Sequence, residues 1–259
     1  MEYRLTDAHT HMGSGAEIEE RMNSRIPSLV CAVNPQEARR LDKIQERPEA
    51  RGILLPTYGL HPWHADRASL EEMQPFLQRA QIIGEIGMDS VWCEVPLDIQ
   101  REVLEYQLSF AMEHHRPVIL HTKGQEREIA DIIRYYPNTY LVHWYSSEEH
   151  QETYLDLDCY FSVGPDVWWN PAVRKLAQRV PIDRILIETD GMGAVRWAYE
   201  EAGADKKTAV SPQVPLTLKE ALGNTLGTVA AIRQMESSQL AKQMEDNFFC
   251  FSNALESAG

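Results

Sequence analysis

Cysteine is scarce in this sequence, and its four cysteines lie far apart, with no CxxC pair among them. That spacing argues against a disulfide framework and against a zinc site built from cysteines. No apolar run approaches the roughly 18 residues that a membrane span needs. The opening residues, MEYRLTDAHT, also lack the basic-then-apolar pattern of a secretory signal. We therefore expect a cytoplasmic protein that does not engage a membrane.

Basic residues are also in short supply. The chain has 25 lysines and arginines against 39 aspartates and glutamates, which gives a formal net charge of -14 at pH 7. This charge argues against a protein that grips nucleic acid over a broad basic face, because neutralising phosphates requires clustered lysine and arginine. A local phosphate site remains open, since bound metal ions can invert the local field.

The sequence does contain a regular alternation of short β-branched runs with longer segments of helical periodicity. This alternation is typical of a parallel sheet built from β-α units. Eight segments are predicted as strands: residues 4–9, 28–33, 52–58, 82–86, 117–121, 140–143, 159–163 and 185–188. Eight strands with intervening helices predict an α/β fold, a distorted TIM (β/α)8 barrel in one domain spanning residues 1–259. A doubly wound open sheet is the alternative.

Helical periodicity predicts the remaining elements. The helical segments are residues 35–47, 69–80, 96–115, 124–136 and 171–180, with an extra C-terminal helix over residues 237–255. The segment 191–224 is too long for a simple connection and carries Pro212 and Pro215. We predict that this segment is a functional lid or a mobile insertion.

Side chains able to bind metal ions or phosphate follow the predicted strands. Of the nine histidines, five lie at strand ends or just beyond them: His9, His11, His61, His121 and His143. Two carboxylates, from Glu85 and Asp190, hold similar positions. Each of these residues alone is better explained as an incidental or hydrogen-bonded polar group closing a strand. Together they predict a metal site, because barrel strand ends meet at one rim and unpaired buried imidazoles or carboxylates are costly.

The number of candidate ligands bears on the number of ions. His9 and His11 alternate along one strand, so both can face a single ion. Four imidazoles and two carboxylates exceed what one tetrahedral ion needs, so we expect two divalent ions that share one carboxylate. Mixed nitrogen and oxygen ligation favours Zn²⁺ or Mn²⁺ over Mg²⁺.

As an ordered set, these motifs resemble those of the TatD-type deoxyribonuclease family of metal-dependent hydrolases, within the amidohydrolase superfamily. DAHTH resembles the family's DxHxH, GLHPW its GxHP and GEIGMD its GEIGLD, while LHT, VHWYS and ETD follow in the family's order. The similarity runs from Asp7 to Phe251, nearly the whole chain. The resemblance implies a barrel hydrolase that uses two divalent ions.

Carried over residue by residue, the resemblance implies that one ion is surrounded by His9, His11, Glu85 and Asp190. Glu85 would bridge to a second ion held by His121 and His143. His61 would contact substrate phosphate. Asp190 would orient the attacking water and take its proton, so Asp190 and Glu85 are the predicted catalytic residues.

The sequence departs from the family pattern where the substrate should be recognised. ETDGMGA stands in place of ETD followed by Ser or Ala and then Pro, and the family's arginine-glycine-asparagine stretch is missing. Lys123 and Gly124 replace a common arginine-aspartate pair, so Lys123 is either an anion contact or a solvated loop residue. Four tryptophans near the predicted rim could stack on a flat group or anchor loops: Trp92, Trp144, Trp168 and Trp169.

The leading hypothesis is a two-metal hydrolase that cleaves phosphodiester bonds, acting at DNA or RNA ends through a metal-activated water. The altered residues after Asp190 motivate a second hypothesis, a metal-dependent hydrolase of a small ester, lactone or amide. A non-catalytic metal-binding barrel is the third. The presence of both Glu85 and Asp190 argues against the third, since a structural ion needs no open position for water.

Overall fold

Eight parallel strands form one sheet in the computed structural model, which describes residues 3–204 and 213–252. The strands are β1 (Asp7–His11), β2 (Ser28–Ala32), β3 (Leu54–Tyr58), β4 (Ile83–Gly87), β5 (Val118–His121), β6 (Tyr140–Val142), β7 (Tyr160–Val163) and β8 (Ile185–Ile187). Each strand pairs with the next in chain order. This order confirms the predicted α/β barrel and is unlike that of a doubly wound sheet, which reverses at a switch point.

Helices follow the strands and cover the outside of the barrel. They are α1 (Gly15–Ser24), α2 (Pro35–Gln45), α3 (Arg67–Arg79), α4 (Leu97–Glu113), α5 (Glu126–Ile133), α6 (Gln151–Asp156), α7 (Pro171–Arg179), α8 (Met192–Ala204), α9 (Leu218–Arg233) and α10 (Ser237–Ser252). Because helices cover the sheet outside and side chains fill it inside, strands such as β2 are buried at every residue. No helix in the described residues is long and apolar enough to cross a membrane.

The described residues show no strand ladder between β8 and β1. Individual hydrogen bonds between the two strand regions close the barrel there. The Asp190 N–H donates to the His9 carbonyl over 3.1 Å. The Asp7 carboxylate accepts from the Thr189 N–H and hydroxyl over 2.9 and 2.6 Å. Arg21 of α1 lies 2.5 Å from Asp7 Oδ2 and is 1% exposed. Removing either partner of such a buried pair leaves an uncompensated charge, so this seam depends on both.

Most of the described part of residues 191–224 is helical, so the prediction of a mobile insertion was wrong there, while a functional lid stays a prediction. Residues 192–204 form α8, and α9 begins at Leu218 with a capping box between Thr217 and Glu220. The prolines that suggested an irregular segment do not interrupt either helix: Pro215 precedes the α9 cap, and Pro212 lies outside the described residues. The T-x-x-E pattern of the cap was a readable helix-start signal.

Other element predictions differ from the structure in smaller ways. The first strand runs to His11, so the two histidines lie within the strand and not after it. Helices α1 and α6 were not predicted. The C-terminal helix α10 ends at Ser252 within the described residues, and the predicted extension over residues 253–255 lies outside them. The single domain over residues 1–259 stays a prediction.

Candidate metal centre

The carboxyl ends of the strands bring six predicted residues into one group at the rim of the barrel. His9 and His11 lie on β1, Glu85 on β4 and His121 on β5, while His143 directly follows β6 and Asp190 lies just beyond Glu188 and Thr189 after β8. We call these six residues the candidate metal centre. The ladder between β1 and β2 shifts register between Asp7 and Thr10, and that between β4 and β5 shifts between Ile83 and Ile86, so both irregularities fall at the positions of His9 and Glu85.

The two oxygens of the Glu85 carboxylate face different neighbours. Glu85 Oε2 lies 3.4 Å from His9 Nε2 and 3.5 Å from His11 Nε2. Glu85 Oε1 lies 2.7 Å from His121 Nδ1 and 2.8 Å from His143 Nε2. One carboxylate therefore stands between two pairs of imidazoles, which is the arrangement a bridging ligand requires.

Asp190 completes the group on the β1 side. Its Oδ1 lies 3.2 Å from His9 Nε2 and 3.3 Å from His11 Nε2. The backbone of Asp190 has a φ of 56°, and Gly191 follows with a φ of 88°. Aspartate and glycine tolerate this left-handed region, and the turn directs the Asp190 carboxylate back over β1.

His61 also approaches Glu85. Its Nε2 lies 3.4 Å from Glu85 Oε1, and His61, Glu85 and His121 together offer ligand atoms within 4.8 Å of one another. The resemblance implied a substrate contact for His61. The structure places this residue beside the candidate metal centre, on the wall of the same cavity.

Several buried polar atoms of the candidate metal centre lack a hydrogen-bond partner in the described part of the chain. They include His9 Nε2, Glu85 Oε2 and Asp190 Oδ1, and the two oxygens lie 3.4 and 3.2 Å from His9 Nε2. Buried polar groups in folded proteins are almost always satisfied. A divalent cation among them would satisfy all three, so the residues fit a metal site.

The charges in the centre reinforce one another. Burial alone would raise the pKa of Glu85, but the imidazoles of His143, His61 and His9 outweigh it and lower that pKa well below its ordinary value. Burial would also raise the pKa of Asp190, but the imidazoles of His11 and His9 outweigh burial and lower that pKa. Both carboxylates are therefore ionised at neutral pH and require compensating positive charge.

The histidines respond in opposite directions. Burial lowers the pKa of His61 to about 4, so this imidazole is neutral at physiological pH. Burial also disfavours the charged form of His143, but the carboxylates of Glu85 and Glu188 prevail and raise its pKa to about 10. His143 thus carries a proton in a place where a metal ion would supply the same positive charge.

Two carboxylates that were not assigned from the sequence lie behind the centre, and of the two only that of Asp89 makes a hydrogen bond to an imidazole in the described residues. Asp89 Oδ2 accepts from His121 Nε2 at 3.2 Å and from Trp63 Nε1 at 2.8 Å. Glu188 Oε1 lies 3.5 Å from His143 Nδ1. A carboxylate on the far nitrogen of a metal-bound histidine fixes its orientation. Their signal was present in the sequence, because Asp89 ends GEIGMD and Glu188 begins ETD.

A cavity of about 540 Å³ opens over the centre. Lys123 lines it, with Nζ 3.4 Å from Ser146 Oγ and 4.5 Å from the centroid of the Trp92 ring. Of the four tryptophans predicted near the rim, Trp168 is not among the residues that line the cavity; its ring packs against Tyr199. The other three do line it, together with Trp63 and Trp197, which the sequence did not single out.

Comparisons with known proteins find a matching family and several relatives. The profile of a family described as TatD related DNase matches residues 6–252. An uncharacterized metal-dependent hydrolase, TatD of Mycobacterium tuberculosis, is 26% identical over 212 residues, covering 72% of this chain and 79% of that protein. The metal-dependent hydrolase YjjV of Escherichia coli is 28% identical over 207 residues, with the same coverage.

Two further similarities concern fold and activity. The human 3'-5' RNA nuclease TATDN2 is 27% identical over 150 residues, which are 51% of this chain and 19% of that protein. The crystal structure of YjjV, a TatD homologue from Escherichia coli, superposes with a TM-score of 0.79 at 23% identity, covering 98% of this chain and 99% of that one. At that identity the structural match shows the fold alone.

Proposed function

This chain belongs to the TatD-related DNase family, and from that premise we propose that it is a two-metal phosphodiesterase acting at nucleic-acid ends. Membership makes the chain a metal-dependent hydrolase, which sets aside the non-catalytic barrel. The observation that carries the finer proposal is the Glu85 carboxylate, whose two oxygens face two separate pairs of imidazoles.

In this proposal, His9, His11 and Asp190 would hold one ion, His121 and His143 would hold the other, and Glu85 would be a ligand of both. Two divalent cations, when bound, supply a water that is deprotonated near neutral pH and neutralise charge developing on the phosphate. The mixed nitrogen and oxygen ligand set favours Zn²⁺ or Mn²⁺, and Mg²⁺ is the weaker candidate.

The residues of the chain then have distinct tasks. Asp190 accepts the proton of the attacking water, because its carboxylate is ionised and lines the cavity. As the water oxygen bonds to phosphorus, the P–O bond to the ester oxygen breaks, and the proton held by Asp190 passes to the leaving oxygen. His61 and Lys123 line the cavity beside the centre and bind the phosphate. Lys123 does so as a point charge, without the paired hydrogen bonds that an arginine would supply.

Two findings support a nucleic-acid substrate. The family is described as TatD related DNase, and one relative is named a 3'-5' RNA nuclease. The net charge of -14 favours an enzyme that takes an end over one that tracks along a duplex.

The test is hydrolysis of bis(4-nitrophenyl) phosphate and short single-stranded oligonucleotides, together with metal analysis of the purified protein. We expect activity to disappear on chelation and to fall by about 10²–10⁴-fold in Asp190→Asn. Asp131→Asn is the matched control, since Asp131 is 59% exposed on α5. Full activity in Asp190→Asn, or after chelation, would contradict the mechanism.

A second candidate substrate is a small ester, lactone or amide. Helix α8 favours this substrate class, because its residues Ala194 and Trp197 line the cavity in a region where the sequence departs from the family pattern. A panel of lactones and amides, assayed beside the phosphodiesters, separates the two classes. Turnover of phosphodiesters alone eliminates this candidate.

A further inference from the structure

Tryptophan is concentrated at the mouth of the cavity. Five of the six tryptophans in the chain line it, and Trp63, Trp92 and Trp197 are 49%, 53% and 43% exposed. Exposed large aromatic side chains grouped around a cavity are unfavourable in water and mark a binding site. None of them belongs to the candidate metal centre.

Three of these rings form what we call the tryptophan wall: Trp92, Trp144 and Trp197. The Trp197 ring lies 6.2 Å from Trp92 at an interplanar angle of 79°, and 6.1 Å from Trp144 at 68°. In such edge-to-face pairs only one ring presents a face to the other. Further ring faces therefore remain available to stack on a flat group in the cavity.

Hydrogen bonds and close packing hold the wall in place. Trp144 Nε1 donates to Asp166 Oδ1 over 2.7 Å, and Asp166 is 2% exposed. Gly164 allows the Trp144 ring to lie close, since a Cβ there would come within 2.5 Å of it. Trp169 Nε1 donates to the carbonyl of Ala198 over 2.9 Å. Ala198 follows Trp197 on α8, so this hydrogen bond holds the part of the helix that carries Trp197. The rings are thus arranged before any ligand arrives.

The charges around the wall limit what the cavity can hold. Beyond the centre, Glu37, Glu126 and Asp166 line it, and Lys123 is its only lysine or arginine among the described residues. A long nucleic-acid strand needs several cations to neutralise its phosphates, whereas a single lysine neutralises one phosphate. The volume of about 540 Å³ lies within the range of small-ligand sites.

We propose that the tryptophan wall is a stacking subsite for one nucleobase, and that the substrate is a short nucleotide ester of one or two residues. Lys123, 4.5 Å from the Trp92 ring centroid, holds the phosphate that adjoins this base. The phosphate part of this inference rests on the proposed function. The stacking subsite does not, because it is built from residues outside the candidate metal centre.

Calorimetric binding of adenosine 5'-monophosphate and ribose 5-phosphate to the full chain tests the subsite. The two ligands share a phosphate, so the ratio of their dissociation constants reports the base alone. We expect the nucleotide to bind at least about fivefold more tightly. The ratio should fall towards one in Trp92→Ala and Trp197→Ala, whereas Trp92→Phe, which keeps a flat ring, should retain most of it.

Tyr135→Ala is the control, because Tyr135 is 80% exposed and does not line this cavity. Thermal melting confirms that each variant is folded. Equal affinity for the two ligands in the unaltered chain, or a ratio unchanged in both alanine variants, would overturn the subsite.

Substrate length is tested by comparing kcat/KM for a dinucleotide with that for a strand of about twelve nucleotides. We expect the dinucleotide to be preferred, and a preference for the longer strand would refute the short substrate. If no phosphodiester is cleaved, the proposed function fails. The ratio of nucleotide to ribose phosphate binding still decides the subsite in that case.

Discussion

The candidate metal centre at the base of the cavity is mostly buried and contacted by neighbouring groups, whereas two rings of the tryptophan wall at its mouth are about half exposed. His9 and Glu85 are fully buried, but Trp92 and Trp197 are 53% and 43% exposed. The centre comes from the ends of β-strands, and the wall comes from two loops and helix α8. The comparison suggests that the chemistry is fixed by the barrel, while the choice of substrate depends on its additions.

The two regions meet at Asp89. Its carboxylate accepts from His121 of the centre and from Trp63 of the cavity lining. It also accepts from the backbone N–H of Val91 and Trp92, over 2.7 and 2.9 Å. One side chain therefore orients a candidate ligand and fixes the loop that carries part of the wall.

The largest effect should come from Glu85→Gln, which breaks the centre and spares the wall. The amide nitrogen cannot accept or ligate, so one of the two imidazole pairs loses its shared carboxylate oxygen. We expect fewer than two ions per chain by elemental analysis, and a loss of kcat/KM of roughly 10²–10⁴-fold. Glu113→Gln, an exposed change on α4, is the matched control. Two bound ions with full turnover would contradict a bridging role.

The next largest effect is a change of stability with pH, caused by Asp166, which accepts a hydrogen bond from Trp144 of the tryptophan wall. Burial, with Glu188 adding to it, raises the pKa of Asp166 to about 6, against hydrogen bonds from Asn170 and Trp144. The folded state therefore keeps a proton that the unfolded chain loses near pH 4. The stability that this proton gives to the folded state is fully present below about pH 4 and is lost as pH rises through about 6. Above that pH, Asp166 causes no further change in the free energy of unfolding.

Urea unfolding of the metal-free protein at several pH values measures this decline. From pH 4 to pH 7 the free energy of unfolding should fall by up to about 3 kcal/mol more in the unaltered chain than in Asp166→Asn. Asn at this position also loses one hydrogen bond, so only the difference in slope is informative. The same slope in both proteins would remove Asp166 as the titrating group.

A smaller effect should follow from Asp89→Asn, which loosens the link between the two regions. One side of the amide carries hydrogens, so it cannot accept from both His121 and the neighbouring backbone as the carboxylate does. We expect Zn²⁺ affinity, measured by competition with a chromogenic chelator, to fall about 10–100-fold. Asp131→Asn serves again as the control, and unchanged affinity would show that Asp89 does not position His121.

The smallest effect should come from Gly164→Ala, which disturbs the wall and spares the centre. The added methyl group displaces the Trp144 ring, so we expect nucleotide affinity to fall about three- to tenfold, with a stability cost of about 1–3 kcal/mol. The number of bound ions should not change. Gly193→Ala on α8 is the matched control, because nothing lies within 4 Å of its added Cβ. Equal nucleotide affinity in both variants would contradict the role given to Trp144.

The same contrast explains how much the sequence could predict. The barrel and the grouping of the six residues followed from strand ends, because parallel strands in a barrel share one rim. The partners Asp89 and Glu188 lay in the same motifs, but which imidazole nitrogen faces a carboxylate depends on ring orientation. Local sequence does not determine that orientation.

The wall was harder to predict because its rings depend on tertiary contacts. Trp197 lies on α8, in a glycine-containing segment whose helix is held by Trp169 bonding to Ala198. Trp168 and Trp169 are adjacent in the chain, yet only Trp169 lines the cavity. Trp168 ends the short 3₁₀ helix Pro165–Trp168 and Trp169 follows it, and periodicity offers no rule for which of two such neighbours faces inward.

The seam between the first and last strands also has a consequence for the order in which the chain is made. Asp7 and Thr189 are separated by 182 residues, so a chain emerging from the ribosome presents Asp7 and Arg21 long before their last partner exists. Contacts this distant in sequence form late and slow the completion of a fold. Synthesis that stops before β8 should leave the histidines of β1 without Asp190 and the barrel without its closure.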